Sequence, residues 1–305
     1  MDNNCTILVV GSSNTDMVVL TEHFPIPGET ILGGSFFMNP GGKGANQAVA
    51  AARLGGKVAF IGKVGNDIFG RETRENLSRE GIDVSGLSID PDHPSGVAQI
   101  MVDKNGENCI VVAGGANNFL MPTDVEKNQP LLRQATVVLM QMEVPMETIL
   151  HVADSGKKGK KKIILNPAPA QSLSDTLYAS LYAITPNESE AAQLTGVQVK
   201  DEKSAALAAG FFHRKGVPVV VITLGASGAY LSSDSFNGII PTPRVKAVDT
   251  TAAGDTFNGA LAVGISMDMD LVEAVKFANK AAAISVTRAG AQSSVPHLSE
   301  TETFN

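Results

Sequence analysis

Asp249-Thr250-Thr251-Ala252-Ala253-Gly254-Asp255-Thr256-Phe257-Asn258-Gly259 is the stretch on which the reading of this chain turns. Upstream, 238–248 is broken by Pro241 and Pro243 and reads as short strands and loop, because proline removes a backbone donor. Downstream, Thr256 to Ile265 is small and apolar and reads as a helix. Ala252, Ala253, Gly254 and Asp255 therefore fall where a loop becomes a helix. The first turn of a helix leaves N–H groups unpaired at the positive end of the dipole, so it attracts anions. Three small residues let the backbone approach a ligand closely. A carboxylate at 255 can take a proton from a nucleophile aimed at that anion, which is the arrangement phosphoryl transfer needs. Acidic residues also gather at helix starts on dipole grounds alone, so the stretch needs support from the rest of the chain.

The chain has 305 residues, 43% hydrophobic and 18% charged, with 30 glycines and no tryptophan. That is an ordinary globular composition with ample core, divided into one large α/β domain or two smaller ones. A net charge of -7 without a basic stripe argues against a nucleic-acid partner. The single basic run, Lys157-Lys-Gly-Lys-Lys-Lys162, reads as a solvated loop. Cys5 and Cys109 form no motif and fit a reducing compartment. No apolar run reaches membrane-spanning length and the N-terminus lacks a signal-peptide pattern, so no membrane association and a cytoplasmic location are expected. The five histidines are scattered without zinc-ligand spacing.

Taken in order, Thr6 to Val10 reads as a buried strand, and Asn14 and Asp16 follow at its carboxyl end, where open α/β sheets bind ligands. The GxGxxG of a dinucleotide fold is missing there. An Asx turn would equally explain Asn14 and Asp16. Residues 17–37, broken by Pro25, Pro27, Gly28, Gly33 and Gly34, suggest extended segments. Gly41-Gly42-Lys43-Gly44-Ala45-Asn46-Gln47 runs into a helix over Ala48 to Leu54. It fails the Walker A pattern, because Gly44 follows Lys43. Val58 to Gly62 reads as a strand and Arg71 to Glu80 as a helix. Two runs flanking Asn105-Gly106 read as a hairpin. With the earlier extended segments, this hairpin forms a small sheet apart from the core, covering about 15–40 and 95–112, that acts as a lid.

From 131 onward strands and helices alternate, the pattern of a parallel sheet covered on both faces. Glu143 stands just past the strand Val137 to Gln141, as a ligand candidate or a surface carboxylate. Thr185, Pro186 and Glu188 suit a helix N-terminus with a capping box. Asn187 and Glu190 are left over, as an outer-shell Mg²⁺ pair or a solvated face. Val217 to Leu224 reads as a central strand ending in the turn Gly225-Ala226-Ser227-Gly228, which is suited to close contact with a nucleotide. The last helix, Leu271 to Thr287, carries Val272, Val275, Ala278, Ala282 and Val286 on one face.

Together and in this order, these motifs resemble one family, the ribokinase-like carbohydrate kinases. Gly41 to Gln47 is similar to its N-terminal signature and Asp249 to Gly259 to its C-terminal one. Asn14-Thr-Asp16, Gln141-Met-Glu143, Asn166-Pro-Ala-Pro169 and Thr185-Pro-Asn187-Glu188 extend the resemblance from Val9 to Pro296. The resemblance implies a single α/β kinase domain over 1–305: a large mainly parallel sheet flanked by helices on both faces, with a small β-sheet lid. It implies transfer of the ATP γ-phosphoryl group to the 5-hydroxyl of D-ribose, with Asp255 as base and Ala252, Ala253, Gly254 and Asp255 as the anion hole. Asn14, Asp16, Gly42, Asn46 and Glu143 would hold the sugar with Asp255, and Lys43 would reach the phosphates. Asn187 and Glu190 would act through Mg²⁺, and Thr223, Gly225, Ser227, Gly228, Gly254 and Asn279 would line the nucleotide site. An activating K⁺ would sit near Asp249, Thr251, Ser285, Arg288, Gly290 and Ser294. The family more often has an aliphatic residue at position 251, which is harmless if only the carbonyl binds.

A lid excludes water from charged intermediates, and pairing two lids would cover their exposed edges, so a homodimer through the lid sheets is expected. The rival readings are a kinase for 2-deoxyribose, fructose or adenosine, a non-catalytic sugar sensor on the same scaffold, and a dehydrogenase, the last disfavoured by the missing GxGxxG.

Overall fold

The strand Thr6–Val10 (β1) shows how the core is built. Its side chains alternate between two sides, as the twofold period of a strand requires. Ile7 and Val9 enter one apolar cluster with residues of the helices Lys43–Arg53, Ala253–Ser266 and Leu271–Ser285. Leu8 and Val10 enter a second cluster with residues of Met146–Lys158 and Glu202–Arg214. A strand buried on both sides reads as an unbroken apolar run, and each fully buried Val, Leu or Ile contributes about 1.5–3 kcal/mol.

The computed structural model describes residues 6–32 and 34–304; Cys5 and Gly33, named above, lie outside them. The strands that follow β1 are β2 (Asn14–Leu20), β3 (Phe36–Gly41), β4 (Lys57–Gly65), β5 (Asp83–Asp90), β6 (Gly96–Val102) and β7 (Asn108–Ala113). Then come β8 (Val137–Met140), β9 (Lys162–Leu165), β10 (Ala183–Ile184), β11 (Val219–Thr223), β12 (Ala229–Ser232) and β13 (Asn237–Ile240). The main sheet runs β13-β12-β11-β10-β9-β8-β1-β4-β5. It is parallel from β11 to β5, and β12 and β13 add antiparallel at one edge. The carboxyl ends of β1, β8, β9, β10 and β11 therefore lie along one rim, bringing residues 11–14, 141–143, 166, 185–187 and 223–228 together.

A separate small sheet has the order β3-β2-β6-β7, with β2 and β6 parallel and the outer pairs antiparallel. It spans the segments expected to form a lid. The Asn117 side chain fastens it to the main sheet, accepting from Ser13 N–H (3.0 Å) and donating to the Ser13 carbonyl (3.0 Å) and Asn14 Oδ1 (2.8 Å). At the other junction, the Asp67 carboxylate accepts from Ser95 N–H (2.8 Å), Ser95 Oγ (2.7 Å) and Gly70 N–H (2.8 Å).

Three local readings need correction. The helix expected from Ala48 begins at Lys43, because Gly42 (φ +86°) turns the chain and the Glu143 carboxylate accepts from Lys43 N–H at 3.1 Å. The capping box belongs to Asn187 and Glu190 rather than to Thr185 and Glu188, and the helix is Glu188–Thr195. Lys157 and Lys158 close the helix Met146–Lys158 instead of lying in a loop, where their charge suits its negative end. Asn105-Gly106 does sit between paired strands, but in a longer connection. There Asp103 accepts from the N–H groups of Asn105 (2.8 Å) and Glu107 (3.0 Å).

Candidate active site

The rim of the main sheet meets the N-terminus of the helix Ala253–Ser266. The loop before it enters through Ala252, held left-handed at φ 58°, a conformation that costs a non-glycine residue roughly 1–2 kcal/mol. Thr256 N–H bonds the Ala252 carbonyl at 2.8 Å, closing the first helical turn. The N–H groups of Gly254 and Asp255 stand ahead of that bond, where a helix has no carbonyl for them. A side chain built on Gly254 would meet nothing within 4 Å, so the turn opens into free space.

Asp255 is buried in that first turn, 8% exposed. Its two carboxylate oxygens are held from two sides. Oδ1 accepts from Gln47 Nε2 at 2.9 Å and Oδ2 from Asn46 Nδ2 at 3.0 Å. Helix packing sets this distance: a Cβ on Gly259 would lie 2.8 Å from the Gln47 carbonyl oxygen, so the two helices touch backbone to backbone. Behind Gln47, Gln141 Nε2 donates to Gln47 Oε1 (2.6 Å), and Gln47 Nε2 also donates to Asn166 Oδ1 (3.0 Å). Behind Asn46, Gln292 Nε2 donates to Asn46 Oδ1 (3.1 Å), and Asn76 Nδ2 to Gln292 Oε1 (2.7 Å). Thr185 Oγ1 donates to Asn258 Oδ1 (2.6 Å), while Asn258 Nδ2 donates to the Gly254 carbonyl (2.8 Å).

The other predicted sugar-site residues gather nearby. Glu143 Oε2 accepts from Ser12 Oγ (2.6 Å) and Lys43 N–H (3.1 Å). Asn14 and Asp16 lie two apart on β2, so they share a face. A Cβ on Gly41 would meet the Asp16 carboxylate at 2.3 Å, and one on Gly42 would meet the backbone of Ser13 and Asn14. These glycines thus admit neighbouring parts of the chain. Burial, then the charges of Glu143 and Asp255, push the Asp16 carboxyl up to about 6 from its ordinary 3.8, against the pull of Lys43. Burial works against the Lys43 ammonium, but Asp255, Glu143, Glu190 and Asp16 together raise it above its ordinary value. Lys43 is thus a positive charge on which four carboxylates act. Burial, with Asp255 adding to it, raises Glu190 against its bond from Asn187 N–H and the charge of Lys43.

On the far side of Gly254 lies a cavity of about 560 Å³. Thr223, Gly225, Gly228, Gly254 and Asn279 line it, as does Ala253; Ser227 stands in the same turn without lining it. Its other walls are largely apolar, among them Val245, Phe257, Ala282, Ala283 and Val286. Asn279 Nδ2 donates to the Ile240 carbonyl (2.9 Å). Asn187 reaches the same region by a bridge to Thr223. Asn187 and Glu190 bond each other, with Glu190 Oε2 accepting from Asn187 N–H (2.9 Å) and Oε1 from Asn187 Nδ2 (3.0 Å). A carboxylate has about four lone-pair positions, so this pair can still accept from the waters of a hydrated cation.

The predicted monovalent-cation residues form a tied loop. Asp249 accepts from Thr251 N–H (2.8 Å) and Gly290 N–H (2.8 Å), and Val286 O accepts from Val248 N–H (2.7 Å). Burial works against the Asp249 carboxylate, but bonds from Thr251 and Gly290 hold it below the ordinary range. The Arg288 guanidinium pairs with Glu300, and the Ser285 and Ser294 hydroxyls donate to the Ala282 (2.9 Å) and Ala291 (2.8 Å) carbonyls. The donors left for a cation here are backbone carbonyls, the spare lone pairs of the Asp249 carboxylate and the hydroxyl oxygens, an all-oxygen set suited to a hard ion. Among the described residues no cluster of three or more His, Cys, Asp or Glu could hold a metal by side chains alone.

Sequence reading gave no site role to Gln47, Gln141 and Asn166, though they stand in the quoted motifs, and passed over Asn117, Gln292, Ser12 and Arg244. Four of these are amides no more than 4% exposed, and Asn166 is 7% exposed. A polar residue ending an apolar strand, as Gln141 ends Val137–Met140, was the signal available for one of them. Arg244 lines the cavity, with no hydrogen bond or ion pair from its guanidinium among the described residues.

Comparison with known proteins agrees with this geometry. The pfkB family carbohydrate kinase model matches residues 5–298. The chain is 47% identical over 299 residues to a ribokinase of Haemophilus influenzae, covering 98% of each chain. It is 40% identical over 300 residues to a deoxyribokinase of Salmonella typhi, covering 98% of this chain and 97% of the other. A ribokinase of Arabidopsis thaliana, solved with ribose and ATP, superposes with a TM-score of 0.92 at 31% identity, covering 99% of each chain. The chain belongs to the pfkB family of carbohydrate kinases: it is an α/β kinase that transfers phosphate to a sugar hydroxyl.

Proposed function

We propose that this kinase phosphorylates D-ribose at its 5-hydroxyl, using ATP and releasing ADP. The observation that carries the reading is Asp255, a buried carboxylate in the first turn of a helix whose free N–H groups open toward a cavity of nucleotide size. Similarity at 47% identity to a ribokinase supports the choice of sugar.

The sugar lies between the small sheet and the rim, held by Asn14, Asp16, Asn46 and Glu143, with the Gly42 backbone beside it. The attacking hydroxyl reaches Asp255, which accepts its proton. A carboxylate is a weak base for an alcohol near neutral pH, and a loose transition state that releases the proton late tolerates this. The N–H groups of Ala253, Gly254 and Asp255 face the transferring phosphoryl, where fixed donors stabilise developing charge. Ala253 N–H is 3.2 Å from the Thr250 carbonyl, a long bond that a phosphate oxygen can share. Lys43 adds a positive charge on the sugar side. The adenosine part occupies the cavity lined by Thr223, Gly225, Gly228 and Asn279, with Ser227 in the turn between Gly225 and Gly228. Mg²⁺, when bound, would neutralise phosphate charge, and Asn187 and Glu190 would hold it through water. K⁺, when bound, would be held by oxygens of the tied loop at Asp249, Thr251, Ser285, Arg288, Gly290 and Ser294 and would supply positive charge there.

The small sheet serves as the lid, and a second copy of the chain covers it. Ile110, Val111 and Val112 are 51%, 65% and 52% exposed, so β7 presents apolar side chains on both faces. Phe36 and Phe37 on β3 are exposed as well. Pairing two such sheets hides both the apolar surface and the open strand edges. A cytoplasmic location fits the substrates; among the described residues no helix is long and apolar enough to cross a membrane.

The test is initial-rate ADP formation from Mg²⁺-ATP with D-ribose, 2-deoxyribose, fructose and adenosine, each with and without K⁺, followed by phosphorus NMR of the product. Fastest turnover on ribose, stimulated by K⁺ and yielding the 5-phosphate, is expected. Faster turnover on 2-deoxyribose, the substrate named for the Salmonella relative, would move the specificity and keep the mechanism. ATP-independent binding of ribose without turnover would replace the kinase reading with that of a sensor.

A further inference from the structure

We infer that Gln47 is the positioning residue for the base: a buried amide, set in one orientation by Asn166 and Gln141, that clamps Oδ1 of Asp255 and leaves Oδ2 to work on the sugar hydroxyl. The inference deepens the reading of Asp255 as base and rests on it.

The argument is one of counting donors and acceptors. An amide has two N–H donors on nitrogen and an acceptor oxygen. Gln47 and Gln141 are both fully buried, at 0% exposed. Gln47 Nε2 faces two acceptors, Asp255 Oδ1 at 2.9 Å and Asn166 Oδ1 at 3.0 Å, and spends both protons on them. The Asn166 oxygen faces Gln47 because Asn166 Nδ2 donates to the Thr185 carbonyl at 3.1 Å. With its nitrogen so placed, Gln47 must turn its oxygen toward Gln141, which donates to it at 2.6 Å. Flipping Gln47 would set its oxygen against the oxygens of Asp255 and Asn166 at once. Three adjacent strand ends on the rim each contribute one link: β8 through Gln141, β9 through Asn166 and β10 through the Thr185 backbone.

The partner on the other oxygen is of a different kind. Asn46 Nδ2 holds Oδ2 at 3.0 Å, but Asn46 also belongs to the sugar-site residues at the pocket. Its bond can be exchanged for a sugar hydroxyl, whereas Gln47 has no donor left to exchange. The carboxylate is thus pinned at one oxygen and available at the other. Asp255 and Gln47 lie 208 residues apart, and their separation is set by the backbone contact of their helices at Gly259. The clamp is therefore rigid before any ligand arrives, which is the condition for a base to act without reorganising.

The test uses the full-length enzyme and the single-turnover rate of phosphoryl transfer to D-ribose against pH, beside KM for both substrates and the thermal midpoint. Gln47→Met keeps the volume and removes both donors. Its single-turnover rate should fall about 10- to 100-fold, a part of what general base catalysis supplies. KM for ribose and ATP should stay within about twofold, the signature of an interaction made in the transition state. The low-pH limb of the rate should move to higher pH, because donors that favour the carboxylate form are gone. Gln141→Met, which touches neither Asp255 nor substrate, should move the limb the same way by less. It also keeps the test open if Gln47→Met folds poorly. An Asp255→Asn enzyme above about a tenth of wild-type rate would overturn the base and this inference with it. An inactive Asp255→Asn enzyme beside Gln47→Met and Gln141→Met enzymes with wild-type limbs, whatever their thermal midpoints, would overturn the clamp alone and leave the base in place.

Discussion

The main sheet and the small sheet are built from similar residues and end in opposite conditions. In the main sheet every apolar side chain of β8 and β11 except Val219, at 4%, is fully buried. In the small sheet β7 is exposed along its whole length. Both are rich in β-branched residues, so propensity does not separate them. The difference lies in what covers them. Helices lie on both faces of the main sheet, whereas the small sheet is joined to the body through β2 and β6, the Asn117 clamp and the Asp67 clip. The main sheet is complete within one chain and can hold a preset base. On the reading proposed above, the small sheet is completed from outside, by sugar on one face and a second copy on the other. That division suits an enzyme that must keep its catalytic groups fixed and still admit a substrate.

The largest effect should come from the fixed side. Asp255→Asn should lower turnover about a thousandfold or more and lower the thermal midpoint by only a few degrees, since the shape is kept and Gln47 Nε2 keeps an acceptor, while Asn46 Nδ2 alone loses its own. Steady-state ADP formation and calorimetric unfolding check both halves; a collapse of stability would mean that the base pocket is structural rather than catalytic.

Asp16 sharpens the comparison because it lies where the two sheets meet. Asp16→Asn should raise KM for ribose roughly 10- to 100-fold, the worth of a hydrogen bond to a charged group. The sign of its effect on stability is the reverse. The folded carboxyl is raised to about 6 from 3.8, so the folded state holds the proton more tightly than the unfolded chain, and ionised Asp16 disfavours folding above that range. Asp16→Asn should therefore raise the thermal midpoint at pH 7.5 and give little gain at pH 4. A fall at pH 7.5 would remove the strain argument.

Val111→Lys addresses the open face. It should convert a dimeric solution mass to a monomeric one, read by light scattering, with kinase activity retained in part. A wild-type enzyme that is already monomeric would break the claim that a second copy covers the sheet.

The smallest effect is at the junction. Asp67→Ala removes a helix cap and the clip to Ser95, costing about 1 kcal/mol. Burial opposes the Asp67 charge, but the bonds from Ser95 and Gly70 hold its carboxyl below the ordinary 3.8. Its contribution is thus present above that value and is lost as pH falls through the lowered one. Wild type and variant should unfold alike at pH 2 and differ at pH 7.

The sequence discloses more of the main sheet than of the site it carries. The run Val219-Val-Val-Ile222 announces a strand buried on both faces, and Ala252 to Asp255 announces a helix start, because both signals are local. Thr185 misled as a cap because its hydroxyl is taken by Asn258, 73 residues away; the cap then falls to Asn187. The amides around Asp255 were legible only in part for the same reason: Gln47, Gln141 and Asn166 stand in the quoted motifs, but with Gln292 they become a network only when the rim gathers them. In the small sheet, the strands were legible from alternation and turns, but the pairing of β2 with β6 links residues brought together only by the fold.

Hydrogen exchange with and without D-ribose tests most directly whether one sheet is preset and the other is completed by its ligands. The account predicts slowed exchange over 14–20, 36–41, 96–102 and 108–113, and unchanged exchange in 7–10, 137–140 and 219–223. Equal protection in both sheets, or none in the small one, would contradict it.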